Sequence, residues 1–213
     1  PLPVPPGNYT PAEGSIRSHL CPLGHYCADR KEPMPCPAGT LGDVKGLNSS
    51  SCNMPCTKGY YCEAESSAAI VCDDGTYGNR PGLKSQDECL DCPEGFSCSS
   101  GHKFLCPLGR YCAANTAVPT ACPAGTVGDA TGLNSSSWSR LCPEGYYCEE
   151  GSAAAVVCED GTHGNRTGLT SPAECLECPD GHWCNSGKAF PCGKGTYADG
   201  PPLERTSPCP SSA

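Results

Sequence analysis

The sequence predicts a small disulfide-rich fold: an elongated tandem array of short β-hairpin and turn modules with almost no helix. Three observations predict it. The chain has 21 cysteines among 213 residues, the density of a disulfide scaffold. Leu, Ile, Val and Phe together number 26, about 12 %, too few to bury a core that offsets the ordering entropy of the chain. And the stretch CPAGTLGDVKGLNSSS, Cys36 to Ser51, returns as CPAGTVGDATGLNSSS, Cys122 to Ser137, with thirteen of sixteen residues identical at an offset of 86. A repeat this close has to be read before anything else. It preserves Cys, Gly, Pro and Tyr rather than a set of reactive side chains, which points to architecture.

Residues 1–20 are rich in Pro and lack Cys. They read as a flexible or polyproline linker. A second reading stays open: Pro6-Gly7-Asn8-Tyr9 resembles the start of a repeat, with Val4 in the place of an opening Cys. From Cys21 onward one device punctuates the chain, Cys-x-x-Gly, usually with Pro after the Cys. It opens at Cys21, Cys36, Cys56, Cys72, Cys92, Cys106, Cys122, Cys142, Cys158, Cys178 and Cys192. Pro and Gly at these offsets suit a tight turn. An aromatic ring often follows, as at Tyr26, Tyr60, Tyr77, Phe96, Tyr111, Tyr146, Trp183 and Tyr197, and should pack on the neighbouring disulfide.

Two kinds of segment alternate. The short kind is C-x5-C, as in CPLGHYC and CPEGYYC, followed by a connector of seven to nine residues. The long kind carries an inner Gly-Leu, as in CDDGTYGNRPGLKSQDEC and CEDGTHGNRTGLTSPAEC. Together they make two super-repeats, 21–105 and 106–213, with a seam near Cys106. No window has helical periodicity; Ala153 to Val157 is the nearest approach and is too short.

The CPxGxYC segments and the CPxGT segments, such as Cys21 to Cys27 followed by Cys36-Pro-Ala-Gly-Thr, resemble the ephrin-receptor-like cysteine-rich repeat, a relative of the tumour-necrosis-factor-receptor module. The resemblance spans Cys21 to Cys209. It implies small disulfide-bonded hairpins in line and says little of function, because such repeats serve receptors, adhesion proteins and coats alike. The chain departs from the pattern at the seam and at Trp138, where the first copy has Cys52.

The odd cysteine count admits two pairing schemes. If each opener pairs with the next closer, ten bonds form: Cys21–Cys27, Cys36–Cys52, Cys56–Cys62, Cys72–Cys89, Cys92–Cys98, Cys106–Cys112, Cys142–Cys148, Cys158–Cys175, Cys178–Cys184 and Cys192–Cys209. Cys122 is then unpaired or intermolecular. A nested scheme bridges the connectors, for instance Cys27 to Cys36 and Cys21 to Cys52, and leaves Cys92 over. The sequential scheme is preferred, because one local rule covers every bond and it matches the long module of the family the chain resembles.

Little here invites other chemistry. The pairs Cys89-Leu-Asp-Cys92 and Cys175-Leu-Glu-Cys178 have CxxC spacing, but zinc needs two further ligands at matching spacing, and the neighbouring cysteines already follow the repeat. Asp73-Asp74 and Glu149-Glu150 are isolated acidic pairs rather than a calcium loop. The five histidines vary between copies; Tyr77 answers His163. No nucleophile elbow or phosphate loop is present. The expectation is a non-enzyme with neither catalytic residues, metal nor cofactor. Asn-x-Ser/Thr occurs at Asn8, Asn48, Asn134 and Asn165, candidate N-glycan acceptors, the middle pair in one phase of the repeat.

Disulfides at this density imply an oxidising compartment, so the chain is expected outside the cell, secreted or on its surface. A start at Pro1 reads as a processed form or a piece of a longer polypeptide. No apolar run approaches a membrane span. The scattered charge of −9 argues against nucleic acid. The leading expectation is a structural glycoprotein, the repeat unit of a surface fibre, filament or coat that self-associates into a polymer or array. The alternative is a receptor or adhesion ectodomain that binds a protein ligand.

Overall fold

A computed structural model of the chain describes residues 3–197 and 208–209. Among the described residues, eleven two-stranded antiparallel hairpins follow one another in chain order, from Asn8–Tyr9 with His19–Leu20 to His182–Asn185 with Lys188–Pro191. Most strands are two residues long. The helical content among the described residues is three short 3₁₀ turns, Gln86–Glu88, Ser136–Trp138 and Pro172–Glu174. The fold is a tandem set of small disulfide-rich hairpins. Residues 7–21, at the Pro-rich start, form a hairpin of the same kind, with the Cys21 N–H donating to the Gly7 carbonyl at 2.9 Å.

The turn chemistry explains why hairpins form at all. In Cys21-Pro-Leu-Gly-His the His25 N–H returns to the Pro22 carbonyl at 3.3 Å, with Gly24 at φ +75° in the third turn position. A type II turn needs such a φ there, and Gly adopts it without a Cβ penalty. The chain leaves that turn as the first strand of a hairpin. The second strand ends at the next opening cysteine, whose N–H closes the hairpin on the carbonyl of the turn Gly: Cys36 on Gly24 at 2.8 Å, Cys72 on Gly59 at 3.0 Å, Cys158 on Gly145 at 2.9 Å. Each hairpin therefore runs from a turn Gly to the next opener. The connectors that separate segments in the sequence are the hairpin loops.

The chain divides into two compact units, one of residues 1–93, 97–104 and 114–118, the other of 94–96, 105–113 and 119–213. Within the first, hairpins are joined to their successors by backbone bonds, Gly39 N–H to the Cys62 carbonyl at 2.7 Å and Gly75 N–H to that of Cys98 at 2.9 Å. They are joined to the next but one as well, Gly46 N–H to the Cys21 carbonyl at 2.9 Å and Gly82 N–H to that of Cys56 at 2.7 Å. Within the second unit the same pattern recurs, with Gly125 to Cys148 at 2.7 Å and Gly168 to Cys142 at 2.7 Å. Buried cysteine carbonyls are thus satisfied without a wide sheet. The approach is so close that a Cβ on Gly39 would lie 2.7 Å from the Gly82 carbonyl oxygen, and one on Gly125 2.7 Å from that of Gly168.

The buried apolar set is mostly sulfur. Leu83 and Leu169, from the inner Gly-Leu of two long segments, are the largest side chains fully removed from water. Leu83 packs with Cys72 and Cys89 under Tyr61. Tyr60 covers Cys56 and Cys62, and Tyr146 covers Cys142 and Cys148. These rings pack on disulfide cysteines. Of the later rings, Trp183 stacks on Phe190 at 4.7 Å and Tyr197 is half exposed.

Candidate functional site

The disulfides are ten, and each joins an opener to the closer that follows it: Cys21–Cys27, Cys36–Cys52, Cys56–Cys62, Cys72–Cys89, Cys92–Cys98, Cys106–Cys112, Cys142–Cys148, Cys158–Cys175, Cys178–Cys184 and Cys192–Cys209. Since the opener ends one hairpin and the closer lies in the next, each of these bonds from Cys21 to Cys184 ties consecutive hairpins. Both cysteines of each CxxC pair are consumed in this way, Cys89 and Cys92 by Cys72 and Cys98, Cys175 and Cys178 by Cys158 and Cys184. Among the described residues no three His, Cys, Asp or Glu side chains converge as metal ligands would. Ten disulfides place the chain in an oxidising, extracellular environment. No helix among the described residues is long and apolar enough to cross a membrane.

Cys122 is the free thiol and is fully buried. Its environment corrects one expectation. By identity Trp138 aligns with Cys52, but the residue in the closing position is Ser139. Ser139 follows the 3₁₀ turn Ser136–Trp138 at φ −72°, ψ 139°. Cys89 follows Gln86–Glu88 at φ −71°, ψ 133°, and Cys175 follows Pro172–Glu174 at φ −71°, ψ 125°. All three stand 17 residues after their opener. Cys52 stands 16 after its own, and it adopts φ +51°. Burial pushes the Cys122 thiol up, and the Ser139 hydroxyl bonded to it pulls it partly back.

The sequons differ in setting. Asn48 and Asn165 are exposed. Asn134 is half buried, and its amide donates to Glu94 Oε2 at 2.8 Å. Asn8 is half buried in the first hairpin, donating to Ser18 Oγ at 3.1 Å. In the first acidic pair, Asp74 accepts from the Ser100 N–H at 3.2 Å. His163 presents a buried Nδ1 without a hydrogen-bond partner among the described residues.

Exposed ion pairs repeat with the fold. Arg80 meets Glu88 at 2.9 Å, and 86 residues on Arg166 meets Glu174 at 3.0 Å. The Thr170 N–H, with Arg166 adding to it, holds the Glu174 carboxyl below the usual carboxylate range. His25 contacts Glu65 at 3.0 Å.

One cleft was not anticipated. Lys58, Tyr77, Gly78, Asn79, His102 and Lys103 line a space of about 310 Å³ in the first unit. Lys58 comes from the turn that opens one hairpin, Tyr77 to Asn79 from the next, and His102 and Lys103 from the one after. The Gly78 N–H on the Gly101 carbonyl, 3.1 Å, fixes the spacing. Lys103 Nζ sits 5.0 Å over the Tyr77 ring, a cation–π contact. The His102 ring lies on Gly59, with Cε1 2.9 Å from where a Cβ would stand. A signal for it existed in the sequence. At the offset of 86, Lys58 becomes Glu144, Tyr77 becomes His163 and Lys103 becomes Ala189, while the glycines remain.

No protein-family model matches this chain, and no curated protein matches it.

Proposed function

We propose that this chain is a non-enzymatic structural glycoprotein of the extracellular space, the repeat building block of a surface fibre, filament or coat, built from modules of the ephrin-receptor-like kind. The observation that carries the reading is the repetition of one backbone scheme. The same Gly and Cys positions make the same backbone bonds in hairpin after hairpin, and apart from the closing cysteine absent at Ser139 the differences between copies fall on side chains outside that scheme. A chain whose units are held by their neighbours through backbone and disulfide extends by adding units, which suits a spacer or polymer subunit. N-linked glycans on the exposed Asn48 and Asn165 would keep such a surface soluble and shield its loops from proteases.

Electron microscopy of native material tests this. Regular fibres or a patterned coat are expected; dispersed monomers would overturn it. A second reading, a receptor or adhesion ectodomain, draws on the Lys58–Lys103 cleft, whose two lysines and Tyr77 are replaced in the second copy. Monomers that capture a protein ligand would favour that one.

A further inference from the structure

We infer that the cleft between Lys58 and Lys103 is a binding site for a tetrahedral oxyanion, a sulfate or phosphate group. The chain carries a net charge of −9, so two lysines beside an imidazole in one cleft run against its average surface. Here three successive hairpins deliver Lys58, His102 and Lys103 to one concave space, with the Asn79 amide on the same wall. A Lys ammonium offers three donors, an amide NH₂ two and an imidazole at least one. A carboxylate has two oxygens and leaves much of this set unused. A sulfate or phosphate group has three or four and can meet donors arriving from several sides.

Two features pre-organise the site. Lys103 rests over the half-buried Tyr77 ring, which restricts a long side chain that otherwise loses entropy on binding. His102 is seated on Gly59, where a larger residue would displace it. The volume of about 310 Å³ stands at the small end of ligand sites. It accommodates an anion, or an anion carried on one sugar or one phosphorylated residue, rather than a polymer segment.

The second copy is a natural control. It keeps Gly145, Gly164 and Gly187 at the matching positions and Asn165 for Asn79, so the hairpins are the same, but it presents Glu144 and Ala189 for the two lysines, with Lys188 in place of His102. The expectation is one oxyanion site per chain, in the first copy alone. The group can reach the cleft as a free ion or as an ester on a larger molecule.

The test is a titration of the intact, oxidised chain followed by amide NMR, with inorganic sulfate, inorganic phosphate and a sulfated disaccharide as probes. Saturable shifts at Gly78, His102 and Lys103, without matching shifts at Gly164, Lys188 and Ala189, are expected. Tighter binding of the disaccharide than of either ion would assign the group to an ester; equal binding would assign it to the free ion. The variant Lys58→Glu with Lys103→Ala installs residues that the same fold already carries 86 residues later. It should weaken binding by about tenfold or more, with the second-copy resonances unmoved as proof of folding. Shifts that appear equally in both copies, that never saturate, or that survive in the variant would overturn the inference.

Discussion

The module from Cys36 to Cys56 and its copy from Cys122 to Cys142 share fourteen of 21 residues and make the same backbone bonds to the neighbouring hairpins. In the first, the Gly39 N–H reaches the Cys62 carbonyl at 2.7 Å and the Cys56 N–H the Gly39 carbonyl at 2.9 Å; Glu65 bonds to Cys36 at 2.9 Å and Gly82 to Cys56 at 2.7 Å. In the copy, Gly125 reaches Cys148 at 2.7 Å, Cys142 reaches Gly125 at 2.9 Å, Gly151 bonds to Cys122 at 2.9 Å and Gly168 to Cys142 at 2.7 Å. Yet the first is closed by Cys36–Cys52 and the second by a thiol beside a hydroxyl. The difference separates two jobs. The turn glycines and cysteine carbonyls set the geometry of the hairpins. The disulfide restrains the loop and, in the unfolded chain, removes entropy.

The two modules also show how the closer is fitted. Most long segments place it 17 residues after the opener, in extended backbone after a 3₁₀ turn. The first copy places it one residue early, and the chain compensates by a left-handed residue at Cys52, φ +51°. For a residue with a Cβ that conformation costs about 1–2 kcal/mol. The bond tolerates this because its own contribution is larger, about 3 kcal/mol for a loop of that length.

The largest effect that could break the comparison is complete reduction. If disulfides supply what the small apolar core cannot, reducing all ten should unfold both copies, with loss of amide dispersion in NMR and of the weak strand signal in circular dichroism. A reduced chain that kept the Gly39 and Gly125 turns would mean that the backbone bonds suffice alone. Next comes Ser139→Cys. Ser139 already has the backbone angles of Cys89 and Cys175, so the substitution should form an eleventh bond with Cys122. Stability should rise by about 3 kcal/mol in denaturant melts, since the closed loop is of the same length as its relatives. The titratable thiol should vanish. A chain with two thiols after Ser139→Cys would show that the likeness of backbone does not extend to the side chains.

A smaller effect concerns Cys122 as it stands. Burial raises its thiol above the ordinary cysteine range, so the folded state holds the proton after the unfolded state has released it. Stability contributed by this group is therefore fully present below the unfolded pKa and is lost as pH rises from there through the raised folded pKa. Alkylation in the native chain should be slow and should lag behind that of a free cysteine as pH is raised; in denaturant it should be fast. Rapid native alkylation would place the sulfur at the surface.

Much of this was legible because cysteine spacing is a direct record of a disulfide fold. The openers, the Gly turns and the scarcity of helix follow from residue types that leave the backbone few choices. The hairpin frame was harder to read. Cys-x5-C looks like a unit, whereas the pairing strands run from each Gly to the next opener, because hydrogen-bond partners are not marked by side chains. The hairpin at residues 7–21 was obscured by the lack of an opening cysteine, although Gly7 at φ +77° does the work of the other turn glycines. Ser139 was hidden by a one-residue slip that identity alone cannot detect. The cleft was visible only as a difference between copies, Lys58 against Glu144, whose meaning depends on three hairpins meeting.

The smallest effect concerns glycans, and it turns on the same pair of modules. Asn48 and Asn134 stand in identical Gly-Leu-Asn-Ser-Ser-Ser sequences, so sequence alone predicts equal modification. Their surroundings differ. Asn48 is exposed, while Asn134 is half buried with its amide nitrogen donating to Glu94 Oε2 at 2.8 Å. The nitrogen that would carry the sugar is thus engaged with a carboxylate in one copy. An exposed hydrogen bond of this kind is worth about 1 kcal/mol, enough to bias occupancy but not to forbid it. Asn48 should therefore be fully glycosylated and Asn134 partly, with Asn79 unmodified because Pro81 stands where an acceptor hydroxyl is needed. Glycopeptide mass spectrometry of secreted chain gives the two occupancies. Glu94→Ala should raise the second toward the first. Equal occupancy in the native chain, or no response to Glu94→Ala, would mean that modification precedes the folding of this loop, and that the two modules are alike at the moment the sugar is attached.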